Sequence, residues 1–227
     1  MRAALSVVIP TLNAAPELAA NLPALFEGLQ AGLVRELVIT DGGSTDDIAK
    51  VADGLGAELI VGPAGRGGQL ARGVAASKGD WIMVLHADTR LPDGWSDAVL
   101  DHIAKQPDFA LVFRLAFDSR HPMARVTAAW ANARTRLGLP YGDQGLVVPR
   151  HLYDAVGGYQ DIALMEDVAL ARALRGRIKR SSLSVETRSE RYQAHGWLRQ
   201  GSRNLWRLAR YLCGADPARL SRGYQDR

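Results

Sequence analysis

One cysteine, Cys213, in a chain of 227 residues leaves no disulfide framework and no Cys-rich metal site. A reducing compartment is the expectation. No apolar run approaches the ~20 residues that a bilayer crossing requires; the longest candidate, Trp81 to Leu85, is closed by His86. The N-terminus, MRAALSVVIP, lacks the apolar core and small-residue cleavage site of a secretory signal, so a cytoplasmic protein is expected. There is no dinucleotide fingerprint: the Gly-rich GPAGRGGQ (62–69) follows the third apolar run rather than the first and lacks G-x-G-x-x-G spacing. It also lacks the Lys-Ser/Thr of a phosphate-binding P-loop. Internal repeats and low-complexity linkers are missing too.

What is present is ordinary for a soluble globular protein, with 47% hydrophobic and 23% charged residues. A chain of this size buries roughly 70% of its unfolded surface and needs no cross-link to stay folded. The net charge of +4 hides a division. Residues 172–227 hold 14 Lys and Arg against 4 Asp and Glu, whereas residues 1–171 hold 14 against 20. A basic surface facing a partner, if the chain has one, is C-terminal.

Apolar β-branched runs alternate with helical patterns through the first half. SVVIP (6–10), ELVIT (36–40), ELIVG (58–62) and WIMVL (81–85) read as strands; helices are expected near 15–30, 45–55 and 69–77. Strands apolar on both faces, each followed by a helix, indicate an open α/β sheet, mostly parallel and covered on both sides. Further on, 109–118 and 145–149 read as strands and 122–136 and 165–175 as helices.

Four groups of residues can carry chemistry. Asp41, in DGGSTDD, stands where a strand turns into a helix; Ser44 or Thr45 can cap that helix, and the carboxylate can accept hydrogen bonds from a base or a ribose. His86 and Asp88 follow the strand 81–85, where alternation would put both on one face, able to share a divalent cation with phosphate oxygens. A turn capped by Asp88 or Thr89 is the other reading. Glu166 and Asp167 open an amphipathic helix, either as partners of its dipole or as a base with an orienting neighbour. In the fourth group, Leu198, Leu205, Leu208 and Leu212 form an apolar stripe with Arg199, Arg203, Arg207 and Arg210 off it and Trp197 and Trp206 nearby. Such a helix packs on the core with a solvated basic face, rests on anionic headgroups, or grips phosphate. Arg66, in the Gly-rich loop, is a further phosphate contact or a solvated arginine. Ligands of open α/β sheets bind beyond the strand carboxyl ends, so Asp41 and Asp88 are expected to share a crevice.

Taken in order, SVVIPTLN (6–13), ELVITDGGSTD (36–46), GRGGQLARGVAASKGDWIMVLHADTRLP (65–92), GDQGLVVPRHLYDAVGGY (142–159), LMEDVALARALR (164–175) and QGSRN (200–204) resemble the family 2 glycosyltransferases of GT-A fold. The likeness is greatest to small, single-domain bacterial members with a His-Ala-Asp-Thr motif. It implies a nucleotide-diphosphate sugar donor, UDP-linked by expectation, and a divalent cation, Mg or Mn. Donor contacts then fall to Pro10, Thr11, Asn13, Asp41, Gly43, Arg66, His86 and Asp88, with Asp88 and His86 at the metal. Asp167 becomes the base, with Glu166 beside it, and Asp143, Gln144, Trp197, Gln200 and Arg203 face the acceptor or the diphosphate. His86 stands where many relatives carry Asp, which removes a negative charge and either weakens the metal site or favours Mn through imidazole ligation. Asn204 replaces the Trp of processive relatives, so a single inverting transfer is expected.

The expected organisation is a catalytic domain over 1–194 and a basic helical extension over 195–227 packed on it. The acceptor is expected to be lipid-linked or at a membrane surface, with peripheral attachment to the inner face of the membrane and no nucleic acid as partner. Two other readings stand beside this one. A nucleotidyltransferase would place a basic, Gly-rich loop after the first strand, where this chain has PTLNAAPE. A non-catalytic module binding membranes or nucleic acid would rest on the C-terminal charge alone.

Overall fold

A computed structural model describes residues 3–225, so the ends of both expected segments, residues 1, 2, 226 and 227, lie outside the described residues. The chain folds into one seven-stranded sheet. Its strands are β1 (Leu5–Thr11), β2 (Val34–Asp41), β3 (Glu58–Val61), β4 (Trp81–Val84), β5 (Ala110–Phe117), β6 (Leu146–Pro149) and β7 (Ile178–Thr187), in spatial order β3-β2-β1-β4-β6-β5-β7. All neighbours run parallel except β6, which is antiparallel to both β4 and β5. The expected open, mostly parallel α/β sheet is present.

The unbroken apolar runs of β1 and β4 follow from burial on two sides. Val7, Ile9, Trp81 and Met83 face one core with helices α1 (Ala15–Gln30), α2 (Ile48–Gly54) and α4 (Trp95–Lys105), represented there by Leu18, Ile48 and Trp95. Val8, Ile82 and Val84 face the other, where Leu70 and Val74 of α3 (Arg66–Ala76), Leu152 of α6 (Arg150–Ala155) and Leu170 of α7 (Glu166–Ala173) pack. Three of these elements were not expected from the sequence. The edge strand β7, IKRSSLSVET, is too polar to read as a strand, α6 is six residues long, and α4 follows a turn at Leu91-Pro92.

Helix α5 (Pro122–Arg136) packs on β5, and the C-terminal helices α8 (Glu190–His195), α9 (Trp197–Leu212) and α10 (Pro217–Gln225) follow, with α9 against α5, α8 and α10. The boundary expected between residues 194 and 195 falls inside α8. The leucine stripe expected to pack on the core is also divided: Leu208 is buried against Met165 and Val168, whereas Leu198, Leu205 and Leu212 face outward. Burial corrects the notion of four leucines on one packed face: Leu208 is rotated by roughly 40–80° around the helix from the other three and alone reaches Met165 and Val168.

Glycine decides how closely α3, which carries Arg66, approaches the sheet. A Cβ on Gly73 would lie 2.5 Å from Val8 Cγ1 and 2.7 Å from Thr40 Cγ2, whereas a Cβ on Gly201 in α9 meets nothing. Overpacking costs about 1–3 kcal/mol and outweighs the ~1 kcal/mol that alanine gains over glycine in a helix. Gly73→Ala is therefore expected to lower stability by about 1–2 kcal/mol, and Gly201→Ala to raise it by up to about 1 kcal/mol. The denaturation midpoint at unchanged denaturant slope checks both signs.

Candidate active site

The carboxyl ends of β1 and β2 lie side by side, with Thr11 opposite Asp41. Asp41 Oδ1 accepts from the hydroxyls of Thr11, at 3.0 Å, and Ser44; Oδ2 accepts from the backbone N–H groups of Gly43, at 2.8 Å, and Ser44, at 2.7 Å. Burial pushes its pKa up, but these bonds from Ser44, Gly43 and Thr11 outweigh it and hold the carboxyl below its ordinary range. All four acceptor positions are filled and the residue is 2% exposed. In this arrangement Asp41 organises the loop. Asn13, at φ 51°, completes the lock by accepting from Thr45 N–H at 2.9 Å while its own N–H donates to Ser44 Oγ at 2.7 Å. Held this way, Ser44 and Thr45 do not cap α2, which starts later, at Ile48. Pro10, half-buried, sits one residue before Thr11 at the foot of this corner.

On the other side of β1, β4 ends at Val84, and His86 to Thr89 closes as a turn through Thr89 N–H to His86 O at 3.1 Å. The argument from strand alternation therefore does not apply to His86 and Asp88. His86 Nε2 is buried without a hydrogen-bond partner, and desolvation, with the Arg66 and Arg191 charges, lowers the ring's pKa to about 3. The imidazole is neutral. Desolvation likewise raises the pKa of Asp88, against the attraction of Arg66, Arg191 and Arg188.

A short 3-10 turn, Gly142–Gln144, enters β6 and lies against His86. A Cβ on Gly142 would come within 2.7 Å of His86 Nε2, so only glycine admits the ring there. Gly142 N–H donates to Asp167 Oδ2 at 2.8 Å, and Val168 N–H to Asp167 Oδ1 at 2.7 Å, which fixes the Asp167 carboxylate at the start of α7. Before it, Met165 adopts φ 69°, a conformation disfavoured for a bulky side chain that re-aims the chain into the helix. Glu166 is 2% exposed, with Oε1 in ion-pair range of Arg66 Nε at 3.4 Å but outside hydrogen-bond geometry. Burial, then the Asp167 charge, pushes its pKa up to about 7 despite Arg66. Asp143, with Oδ1 buried and unpartnered, is pushed up to about 6 by burial; Arg134 opposes the shift, and Asp167 and Asp88 add to it.

Gln144, expected at the acceptor or diphosphate, lies beneath the turn. It is fully buried, donating to Phe113 O and accepting from Thr135 Oγ1 and Tyr141 N–H. Trp197 is buried, packed among Phe117, His121 and Tyr192. Gln200 donates to Asn204, which donates to Tyr192 OH, so this pair braces α8 against α9. Arg203 is half-buried on the same helix.

Three arginines of the site are absent from the sequence expectation. Arg134 is buried with its guanidinium 3.0 Å from the Tyr141 ring centroid and acts on Asp143. Arg188 pairs with Glu17 at 3.0 Å, tying the strand β7 end to α1, and Arg191 on α8 acts on His86 and Asp88. The positive excess after residue 172 was the available signal for the last two. Among the described residues, no three His, Cys, Asp or Glu side chains converge to hold a metal ion. The orphaned Nε2 of neutral His86 and the desolvated Asp88 nevertheless fit a cation that completes its sphere with phosphate oxygens and water.

The model of glycosyl transferase family 2 matches residues 6–159. A glycosyltransferase of Mycobacterium tuberculosis described as uncharacterized is 32% identical over 146 residues, covering 62% of this chain and 64% of that protein. The chain thus spans less than two thirds of the curated relatives it matches first. A PGL/p-HBAD biosynthesis glycosyltransferase of the same species is 40% identical over 95 residues, 38% of this chain and 36% of that one. Among solved structures, the mannosyltransferase PcManGT of Pyrobaculum calidifontis, in complex with GDP-Man and Mn2+, superposes with a TM-score of 0.67 at 16% identity, over 97% of this chain and 67% of that one. S. aureus TarS 1-349 in complex with UDP-GlcNAc gives 0.59 at 14%, over 82% and 58%. These likenesses establish the fold, that of the GT-A glycosyltransferases.

The raised Glu166 pKa has a consequence for stability. Between 4.5 and about 7 the folded chain keeps a proton on Glu166 that the unfolded chain has lost, so the contribution of this group is present at low pH and fades as pH rises through that window. The depressed pKa of His86 acts in the opposite sense below 6.5, so the comparison has to be made against a variant. The stability of wild type relative to Glu166→Gln is expected to fall from pH 4.5 to pH 7, read by denaturant titration at several pH values. A difference independent of pH would show that Glu166 ionises normally.

Proposed function

Because the chain belongs to glycosyl transferase family 2, we propose that it moves one sugar, with inversion, from a nucleotide-diphosphate sugar to an acceptor hydroxyl. The observation that carries this reading is the meeting of Asp88, Asp143, Glu166 and Asp167 with Arg66, Arg134 and Arg191 in one partly desolvated crevice at the strand ends. The nucleotide lies against the corner of Pro10, Thr11, Asn13 and Gly43, at the end of β1 and β2. Since the Asp41 carboxylate is saturated, we assign base recognition to the backbone and outer atoms of this corner. Arg66, at the start of α3, and Arg191 face the diphosphate, whose charge they offset as the glycosidic bond breaks. UDP is the nucleotide we expect; UDP-GlcNAc and GDP-Man are bound by the similar proteins named above.

Asp88 and His86 are the ligands we assign to Mg or Mn, which when bound neutralises the departing diphosphate. Asp167, half-buried and oriented by the N–H groups of Gly142 and Val168, keeps a lone pair on each oxygen for the acceptor proton. Glu166, its pKa pushed up to about 7, holds its proton part of the time near neutrality and so limits the negative charge against which Asp167 works. The acceptor side falls to Asp143, Arg203 and the rim of α9. Asn204, braced between Gln200 and Tyr192, supports a single transfer. We further read residues 1–194 and 195–227 as one working unit, since Leu208 of α9 packs on Met165 and Val168 beside the acid pair. No helix among the described residues is long and apolar enough to cross a membrane.

Two measurements test this. Asp167→Asn is expected to retain donor binding and to lose transfer by about 10²–10⁴-fold, the span of general-base catalysis; turnover within a few-fold of wild type would move the base to Glu166. UDP-sugars are expected to raise the melting temperature with Mg or Mn and to lose most of that shift in EDTA, a ligand at 100 times its dissociation constant contributing ~2.7 kcal/mol. Equal shifts with and without EDTA would remove Asp88 and His86 from metal binding.

A further inference from the structure

Two helices that touch each other, α5 and α9, each turn an apolar stripe to solvent. On α5 the stripe is Val126, Trp130 and Leu137, the last just past the helix end, with Trp130 57% and Leu137 76% exposed. On α9 it is Leu198, Leu205 and Leu212, seven residues apart and so in line down the helix, with Trp206 alongside; Leu198 is 75% and Trp206 65% exposed. Exposed leucines scattered singly need no explanation, but two tryptophans on adjacent amphipathic faces do. The polar residues of these helices have one sign. α5 carries Arg125 and Arg136 on its exposed side, Arg134 being turned into the site, and α9 carries Arg199, Arg203, Arg207 and Arg210; neither helix contains an Asp or Glu.

We propose that these outward faces of α5 and α9 seat the protein on an anionic lipid bilayer. Tryptophan rings and arginine stems partition to the boundary between headgroups and acyl chains, while the guanidinium groups remain with lipid phosphates. A second copy of the chain is the weaker occupant: a two-fold interface sets each patch against itself, and two acid-free arginine surfaces would then meet without a counter-charge. A bilayer with anionic headgroups supplies both the apolar depth and the opposite sign.

The placement gives the attachment a purpose. The inner side of α9 holds Leu208 against Met165 and Val168, the residues that flank Glu166 and Asp167, and Trp197 anchors the helix start in an aromatic cluster. The lipid-facing helix is therefore also a wall of the candidate active site. Resting on the transferase reading above, this assigns the acceptor to the class of hydroxyl compounds held at a membrane surface.

Flotation with vesicles tests the docking without any donor, cation or turnover, so its failure leaves the transferase reading standing, and a failure of turnover leaves the docking standing. The full chain is expected to float with vesicles of phosphatidylcholine mixed with phosphatidylglycerol at low salt, to stay behind with phosphatidylcholine alone, and to be released at high salt. Arg199→Glu combined with Arg210→Glu is expected to lower partitioning by about tenfold or more, and Trp130→Ser combined with Trp206→Ser to do the same at unchanged melting temperature. In the wild type, tryptophan emission should shift to the blue on the mixed vesicles and not in the double tryptophan variant. Failure of the wild type to float at low salt overturns the proposal, as does flotation of both variants equal to wild type. A wild-type dimer by light scattering that the tryptophan substitutions convert to monomer would assign the patch to self-association and overturn it too.

Discussion

The site depends on charge held out of water. At the carboxyl ends of the strands the fold brings four acidic side chains, from the turn after β4, the turn before β6 and α7, into a partly desolvated space, which raises the pKa values of Asp88, Asp143 and Glu166. Carboxylates so placed are tolerable only where cations stand opposite them or where they keep their protons. The chain uses both means. Arg66, Arg134, Arg188 and Arg191 come from α3, α5, the end of β7 and the start of α8, so charge compensation ties together elements far apart in sequence.

The scaffold serves that field by rigidity. Asp41 holds the ends of β1 and β2 with four donors, and the reciprocal bonds of Asn13, Ser44 and Thr45 join the two loops. Gly142 lets the His86 ring lie under the turn while its N–H orients Asp167. Gln144 closes the same turn from beneath, at no exposure, through bonds to Phe113 O, Thr135 and Tyr141. Polar residues near the crevice thus divide into those facing it and those supporting it, and supporters such as Gln144 and Asp41 are no less buried than the core. A network of this kind is stable only when every member is paired. Of the seven buried side-chain atoms left unpaired among the described residues, three, His86 Nε2, Asp143 Oδ1 and Glu166 Oε1, belong to the crevice itself.

Much of this was legible in the residues. The motif around Asp41, the His86–Asp88 segment and the Glu166–Asp167 pair all lie where the parallel sheet ends, because ligand sites of open α/β sheets follow from topology and the topology follows from the alternation of strands and helices. Roles were less legible. Asp41 and Gln144 carry side chains suited to binding a ligand, but which of their donors and acceptors remain open depends on Thr11, Ser44, Thr135 and Phe113, and three of these four stand nine or more residues away. Arg134 reads as one more base on an amphipathic helix, and only its position under Tyr141 makes it part of the site.

The sequence by itself determined the class of fold, the order of its first strands and helices and the segments that would end beside one another, since each of these rests on local periodicity and on burial of continuous apolar runs. Tertiary structure decided the reversed β6, the polar edge strand β7, the short α6 and the inward or outward sense of α9. The last case shows the reason. A helix with apolar residues on two sides satisfies the same spacing in either orientation, and the choice of Leu208 over Leu198, Leu205 and Leu212 for burial was made by Met165 and Val168, residues more than thirty positions away whose packing no local pattern records.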